Sequence, residues 1–210
     1  MRVIGIPVLV TSLALVAAVV LASPGDTPSP PPGQPPSSQS IPATGTAPAT
    51  GLRAEAELSY ALAYEEIAKA RKDMEAGKEK NAQKRFKRAL GRVEGAVALD
   101  PRYHEAWNLL GYSARRLGDY DKAFMAYEKC LDIKPDYAPA REYLGEARLE
   151  KGDVAQARQQ LVMLERFNPE SEEAKALRGA IDTYLAAHPE GVKAEAIPAV
   201  PETLRTAEKK

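Results

Sequence analysis

The chain has 210 residues, 44% of them hydrophobic, and its 29 basic and 29 acidic side chains cancel to a net charge of zero. That balance gives no overall field to draw in nucleic acid or an anionic surface. A single cysteine, Cys130, excludes an intrachain disulfide and any paired-cysteine metal site.

Residues 3–22 carry no charge, and Arg2 is the one charge ahead of Asp26. Two readings fit. A cleaved signal peptide (residues 1–22) has a short apolar run and a small-residue exit, which Val20-Leu21-Ala22 supplies just before Ser23-Pro24-Gly25. A retained signal-anchor needs about 20 apolar residues to cross a bilayer, and this run reaches that length in spite of Pro7. In both cases Arg2 favours a cytoplasmic N-terminus, so the remainder is expected outside the cytoplasm: periplasmic, secreted, or held by a single span. Residues 23–52 follow as a linker. Nine prolines fall within 24–50, with one charge and no aromatic residue. Such a segment buries too little apolar surface to offset its ordering entropy and acts as a semi-rigid, disordered spacer.

From residue 53 the pattern is helical and repeats. Pro101, Pro135 and Pro169 stand 34 residues apart, as do Gly111, Gly145 and Gly179. Leu110 recurs as Leu144, Gly118-Asp119 as Gly152-Asp153, and Ala123 as Ala157. A fixed period of this size marks an array of stacked units. Each unit predicts two helices: Gly118 ends the first, Asp119 caps the second and Pro135 stops it. Gly111, Ala123 and Cys130 are small enough to sit where helices cross. In the first copy, counting forward from Gly77 and back from Pro101 gives registers that differ by seven residues. Its second helix is therefore expected to be two turns longer. Gly91 and Gly95 each cost a helix about 1 kcal/mol relative to Ala, and they are read as places where another helix comes close. After Pro169, Ser171 caps a lone helix over 172–187, and 188–210 reads as a flexible tail.

Trp107, Leu110, Gly111, Ala114, Ala123, Tyr127 and Pro135 together resemble the tetratricopeptide repeat, W-x2-L-G-x2-Y…A-x3-F…P, with Ala114 in place of its Tyr and Tyr127 in place of its Phe. The next copy has Arg141 where Trp stands. The resemblance implies an all-α, right-handed α-solenoid over 53–187. It would hold about three hairpins, near 54–103, 104–137 and 138–171, and the capping helix 172–187. It also implies that the first helices line a concave groove. The candidate protein-binding residues are then Asn108, Tyr112, Arg115 and Arg116 in the second copy, and Glu142, Glu146, Leu149 and Glu150 in the third. A positive stripe would face a negative one. Some family members hold the C-terminal carboxylates of chaperones with Lys and Asn side chains. Here Asn108, Tyr112, Pro139 and Tyr143 occupy those places, so that set is not matched.

A rival surface lies at 78–92, with seven basic residues and one acidic. Lys80, Lys84, Lys87, Arg88 and Arg92 fall opposite Ala82, Phe86, Ala89 and Val93. This face reads either as solvated or as a contact for anionic headgroups or an acidic partner. No catalytic, cofactor-binding or metal-binding residue is assigned. His104 and His188 have no Cys or second His within helical reach, Cys130 reads as core, and the carboxylates lie at ion-pairing spacing on helices. The expected function is that of an extracytoplasmic protein–protein interaction scaffold or adaptor in an envelope or secretory assembly, and not an enzyme. A protein or peptide partner is expected, with no nucleic acid, and membrane contact only through residues 1–22 if they are retained. The alternatives are a self-assembling subunit of a surface or secretion apparatus and a non-catalytic accessory domain of an enzyme complex.

Overall fold

The computed structural model describes residues 47–189, with side chains from residue 51 onward. The expected signal or anchor segment, most of the linker, and the tail beyond residue 189 lie outside the described residues. Seven helices make up the described part: α1 (Ala47–Glu75), α2 (Glu79–Leu99), α3 (His104–Arg116), α4 (Tyr120–Ile133), α5 (Ala138–Glu150), α6 (Val154–Phe167) and α7 (Glu172–Ala187). None of these is long and apolar enough to cross a membrane. α1 starts inside the stretch read as linker, with Pro48 in its first turn, where proline is tolerated because that N–H has no helical partner.

The helices pair as hairpins, α1 with α2, α3 with α4 and α5 with α6. Each hairpin leans on the next through α2–α3, α4–α5 and α6–α7. The turns inside the hairpins share one construction. Gly77, Gly118 and Gly152 have φ of 67°, 80° and 78°, the left-handed region in which a Cβ is strained. Around Gly118, the Asp119 amide donates to the Ala114 carbonyl at 3.0 Å and the Gly118 amide to the Arg115 carbonyl at 2.9 Å. This closes the helix end with a Schellman pair. The pattern recurs at Gly152 and at Gly77. Asp119 and Asp153 then accept from the amides of Lys122 and Gln156, and Ser171 accepts from that of Ala174, as N-caps do.

The small residues act as the repeat requires. A Cβ on Gly111 would lie 2.6 to 2.9 Å from three ring atoms of Tyr127, so α3 and α4 cross in contact there. Ala123 and Cys130 are fully buried. The longer second helix of the first copy is also present: α2 has 21 residues against 14 in α4 and in α6. The added turns of α2 lie beside those of α1, where Arg53 pairs with Asp100 and stacks 3.9 Å from the Tyr103 ring centre. The reading of Gly91 and Gly95 is corrected. Both are exposed, and a Cβ on either would meet nothing within 4 Å. No helix of the described residues approaches them, because their face of α2 points away from both α1 and α3.

The substitution of Arg141 for Trp has a physical reason. Trp107 Nε1 donates to the Pro101 carbonyl at 2.9 Å. One period later, Arg141 donates from Nε and Nη2 to the Pro135 carbonyl, at 2.9 and 2.6 Å. Both side chains satisfy the carbonyl of the proline that ends the previous unit. α7 closes the array with its own apolar cluster, in which Leu177 and Ile181 meet Leu149, Ala157 and Leu164. Leu177 sits where a Cβ on Gly145 would be, 2.6 Å away.

Candidate functional site

The first helices of successive hairpins, α1, α3 and α5, stand side by side. Nine of the thirteen residues of α3 are buried, and nine of the thirteen of α5. This changes the standing of most of the groove residues. Asn108 is 0% exposed, Glu142 2%, Arg115 5%, Glu146 6% and Tyr112 8%. Leu149 is buried as well, while Arg116 is half-buried and Glu150 exposed. Tyr112, expected as an open contact, is wedged between the Phe86 ring at 6.2 Å and the Tyr143 ring at 5.5 Å. A helix flanked by its own hairpin partner and by two neighbouring first helices keeps little free surface.

The positive and negative stripes meet, but within the domain. Arg115 donates from Nη1 to Glu146 at 2.6 Å, and from Nε and Nη2 to the two carboxylate oxygens of Glu150, at 3.0 and 2.7 Å. Such a bidentate fork is the strongest ion-pair geometry available to arginine. Burial alone would lower the pKa of Arg115; its hydrogen bonds to Glu150 and the charges of Glu146 and Glu150 outweigh that and raise the pKa well above the ordinary value. Arg115 is therefore a fixed strut between α3 and α5, and it is withdrawn from the set of contact residues. Arg116 turns the other way. Its Nη2 lies 3.0 Å from Met74 Sδ, and its guanidinium is 5.8 Å from the centre of the Phe86 ring.

Arg71 on α1 joins this site and was missed from sequence. Burial raises the pKa of the Tyr112 phenol, while the charges of Arg116, Arg71 and Arg115 act on it in the opposite direction. Arg71 on α1 and Arg116 on α3, both half-buried, are thus near enough for their charges to act on the Tyr112 phenol. Arg71 precedes Tyr112 by 41 residues, a full period plus the two-turn insertion, so a strict 34-residue register does not reveal it.

The rival basic surface is laid out as the spacing predicts. Lys80, Lys84, Lys87, Arg88 and Arg92 are exposed, while Ala82, Phe86, Ala89 and Val93 are buried. Cys130 is enclosed, and burial pushes its thiol up to about 12, so it is not a thiolate nucleophile. His104 lies 3.0 Å from its neighbour Glu105. No group of three or more His, Cys, Asp or Glu able to hold a metal occurs among the described residues.

Two tetratricopeptide repeat family models match the sequence, over residues 68–138 and 114–181. The chain belongs to the tetratricopeptide repeat family. As such it is a protein–protein interaction module, and members of this family are in general non-catalytic. Among similar proteins, the Hsp70-Hsp90 organizing protein of Triticum aestivum is 34% identical over 73 residues, which is 35% of this chain. The chain spans 13% of the length of that relative. The crystal structure of MamA aligns with 68% of this chain and 99% of that one, at 17% identity and a TM-score of 0.34. Arg71 and Arg116 are charged groups of the first helices that keep part of their surface open to solvent, whereas the Glu150 carboxylate is held by Arg115.

Proposed function

We propose that this tetratricopeptide repeat module works outside the cytoplasm as a scaffold in an envelope or secretory assembly, gripping an acidic segment of a partner protein at Arg71 and Arg116. The observation that carries the reading is that Arg116 lies over the Phe86 ring, which itself packs on the buried Tyr112, while the charge of Arg71 from α1 acts on the same phenol. Arginine and tyrosine combine contact area with directional hydrogen bonds and dominate interface energetics. A carboxylate laid there would meet two guanidinium donors at once. The compartment rests on the uncharged run 3–22 behind a single Arg2.

The test of the site compares two variants for binding to a partner captured from the envelope fraction. Arg71→Ala with Arg116→Ala is expected to weaken capture by tenfold or more, about 1.4 kcal/mol, and Lys84→Glu with Arg88→Glu to leave it unchanged. The reverse outcome places the partner on α2 and ends the groove reading. The compartment is tested by protease added to intact cells or spheroplasts: residues 53–210 should be degraded before lysis, and their protection until lysis overturns the topology.

A further inference from the structure

α2 carries a feature that neither the hairpin packing nor the groove uses. Lys80, Lys84 and Lys87 follow one another at three- and four-residue spacing along a straight stripe of the helix, flanked by Arg88 and Arg92, and all five are exposed. Gly91 and Gly95 continue the stripe toward the C-terminal end of α2 with no side chain at all. Several surface cations elsewhere sit against acids: Lys69 meets Glu65, Lys122 meets Glu94, Lys175 meets Glu172 and Arg178 meets Glu165, while Lys72 and Lys129 stand singly without an ion pair to a described residue. Of the five on α2, Arg88 reaches Glu66 at 3.8 Å, and the other four make no ion pair with a described residue.

Three observations bear on what this stripe meets. None of the large exposed apolar side chains, Leu52, Leu58, Met125 and Phe167, lies on α2. A protein interface draws most of its energy from buried aromatic and apolar anchors, and this face offers none. Lysines act as compact point charges on flexible stems, suited to a plane of mobile charge rather than to a fixed fork. Lastly, the uncharged run 3–22 is joined to α1 by residues 23–46. Twenty-four residues reach up to about 80 Å when extended, and α1 itself is about 43 Å long. The tether thus allows α2 to lie along the same bilayer that residues 3–22 would enter.

We propose that the Lys80–Lys84–Lys87 stripe of α2, with Arg88 and Arg92, docks the domain against an anionic phospholipid bilayer, leaving the groove between α1, α3 and α5 free for its protein partner. The attraction is electrostatic, about fivefold in the docking equilibrium for each basic residue at the surface, and it is screened by salt.

The experiment uses the full chain with Gly91→Cys, which sits in the middle of the stripe where a side chain meets nothing, labelled with an environment-sensitive fluorophore. Cys130 is enclosed and does not compete for the label. The chain is reconstituted into phosphatidylcholine vesicles and into vesicles of equimolar phosphatidylcholine and phosphatidylglycerol. The label is expected to enter the headgroup region on the anionic vesicles alone and to leave it at high salt. Adding Lys80→Glu, Lys84→Glu and Lys87→Glu should shift docking by about a hundredfold or more toward the undocked state. A label that stays in water on both vesicles, or docks equally on both, overturns the proposal. Shielding by soluble polyglutamate or by single-stranded DNA without docking on the anionic vesicles overturns it too, and assigns the stripe to an acidic macromolecule.

Discussion

Adding one methyl group at Gly111 and, separately, at Gly91 separates what packing contributes from what helix propensity contributes. Both glycines lie inside helices, α3 and α2, so both Gly→Ala changes gain about 1 kcal/mol of helix propensity. They differ in what the new Cβ meets. At Gly91 there is nothing within 4 Å; at Gly111 three atoms of the Tyr127 ring lie 2.6, 2.7 and 2.9 Å away. Tyr127 is fully buried and packs 6.4 Å from the Tyr143 ring, so it has nowhere to retreat. Overpacking of this kind costs about 1–3 kcal/mol. The propensity gain cancels in the comparison, so Gly111→Ala should be less stable than Gly91→Ala by about 1–3 kcal/mol, and Gly91→Ala more stable than the parent. Gly145→Ala should fall between, because its obstacle is the end of the flexible Leu177 side chain. Urea denaturation followed by far-ultraviolet circular dichroism reads all three. Equal midpoints for Gly111→Ala and Gly91→Ala would refute the account of the repeat glycine as a contact requirement.

Arg115→Ala should destabilise the domain by about 3–5 kcal/mol, because it removes the guanidinium that compensates the buried Glu146 carboxylate; replacing Arg115, Glu146 and Glu150 together by apolar residues should cost less, and urea midpoints compare the two. Burial tends to raise the pKa of Asp100, but hydrogen bonds from Arg53 and the Arg102 amide, with their charges, leave it below the ordinary 3.8. Its stabilising contribution is therefore complete above that value and is lost as pH falls through the depressed one; Arg53→Ala should reduce this part of the acid dependence in melts run across acidic pH, leaving the share held by the Arg102 amide. The Cys130 thiol, held up to about 12 by burial, should resist maleimide in the native protein near neutral pH and react once urea unfolds it; rapid native labelling would mean the core around it opens.

Much of the fold was legible because the repeat imposes it through backbone chemistry. Gly118 and Gly152 needed a left-handed backbone, Asp119 and Asp153 needed an amide to cap, and both needs are visible in a sequence. The seven-residue conflict of registers was legible too, and it appears as the extra two turns of α2. The site was less so. Helical spacing gives the direction in which Asn108, Tyr112 and Glu142 point, but not whether a neighbouring first helix covers that direction. Burial of α3 and α5 on both sides is a tertiary fact. The pairing of Arg115 with Glu146 and Glu150 depends on side-chain reach across one period and so was open from sequence. Gly91 and Gly95 show the opposite failure: a costly residue inside a helix suggested close packing, and their face has no neighbour among the described residues.

The proposed docking place of the protein partner is the first-helix face around Tyr112. The direct measurement is site-specific photocrosslinking in living cells, with a photoreactive amino acid placed in turn at Arg71, Arg116 and Glu150 on this face and at Lys129 and Asp132 on the exposed side of α4. One and the same protein adduct is expected from the three first-helix positions and none from the two on α4. Adducts from Lys129 and Asp132, with none from Arg71, Arg116 or Glu150, would contradict it.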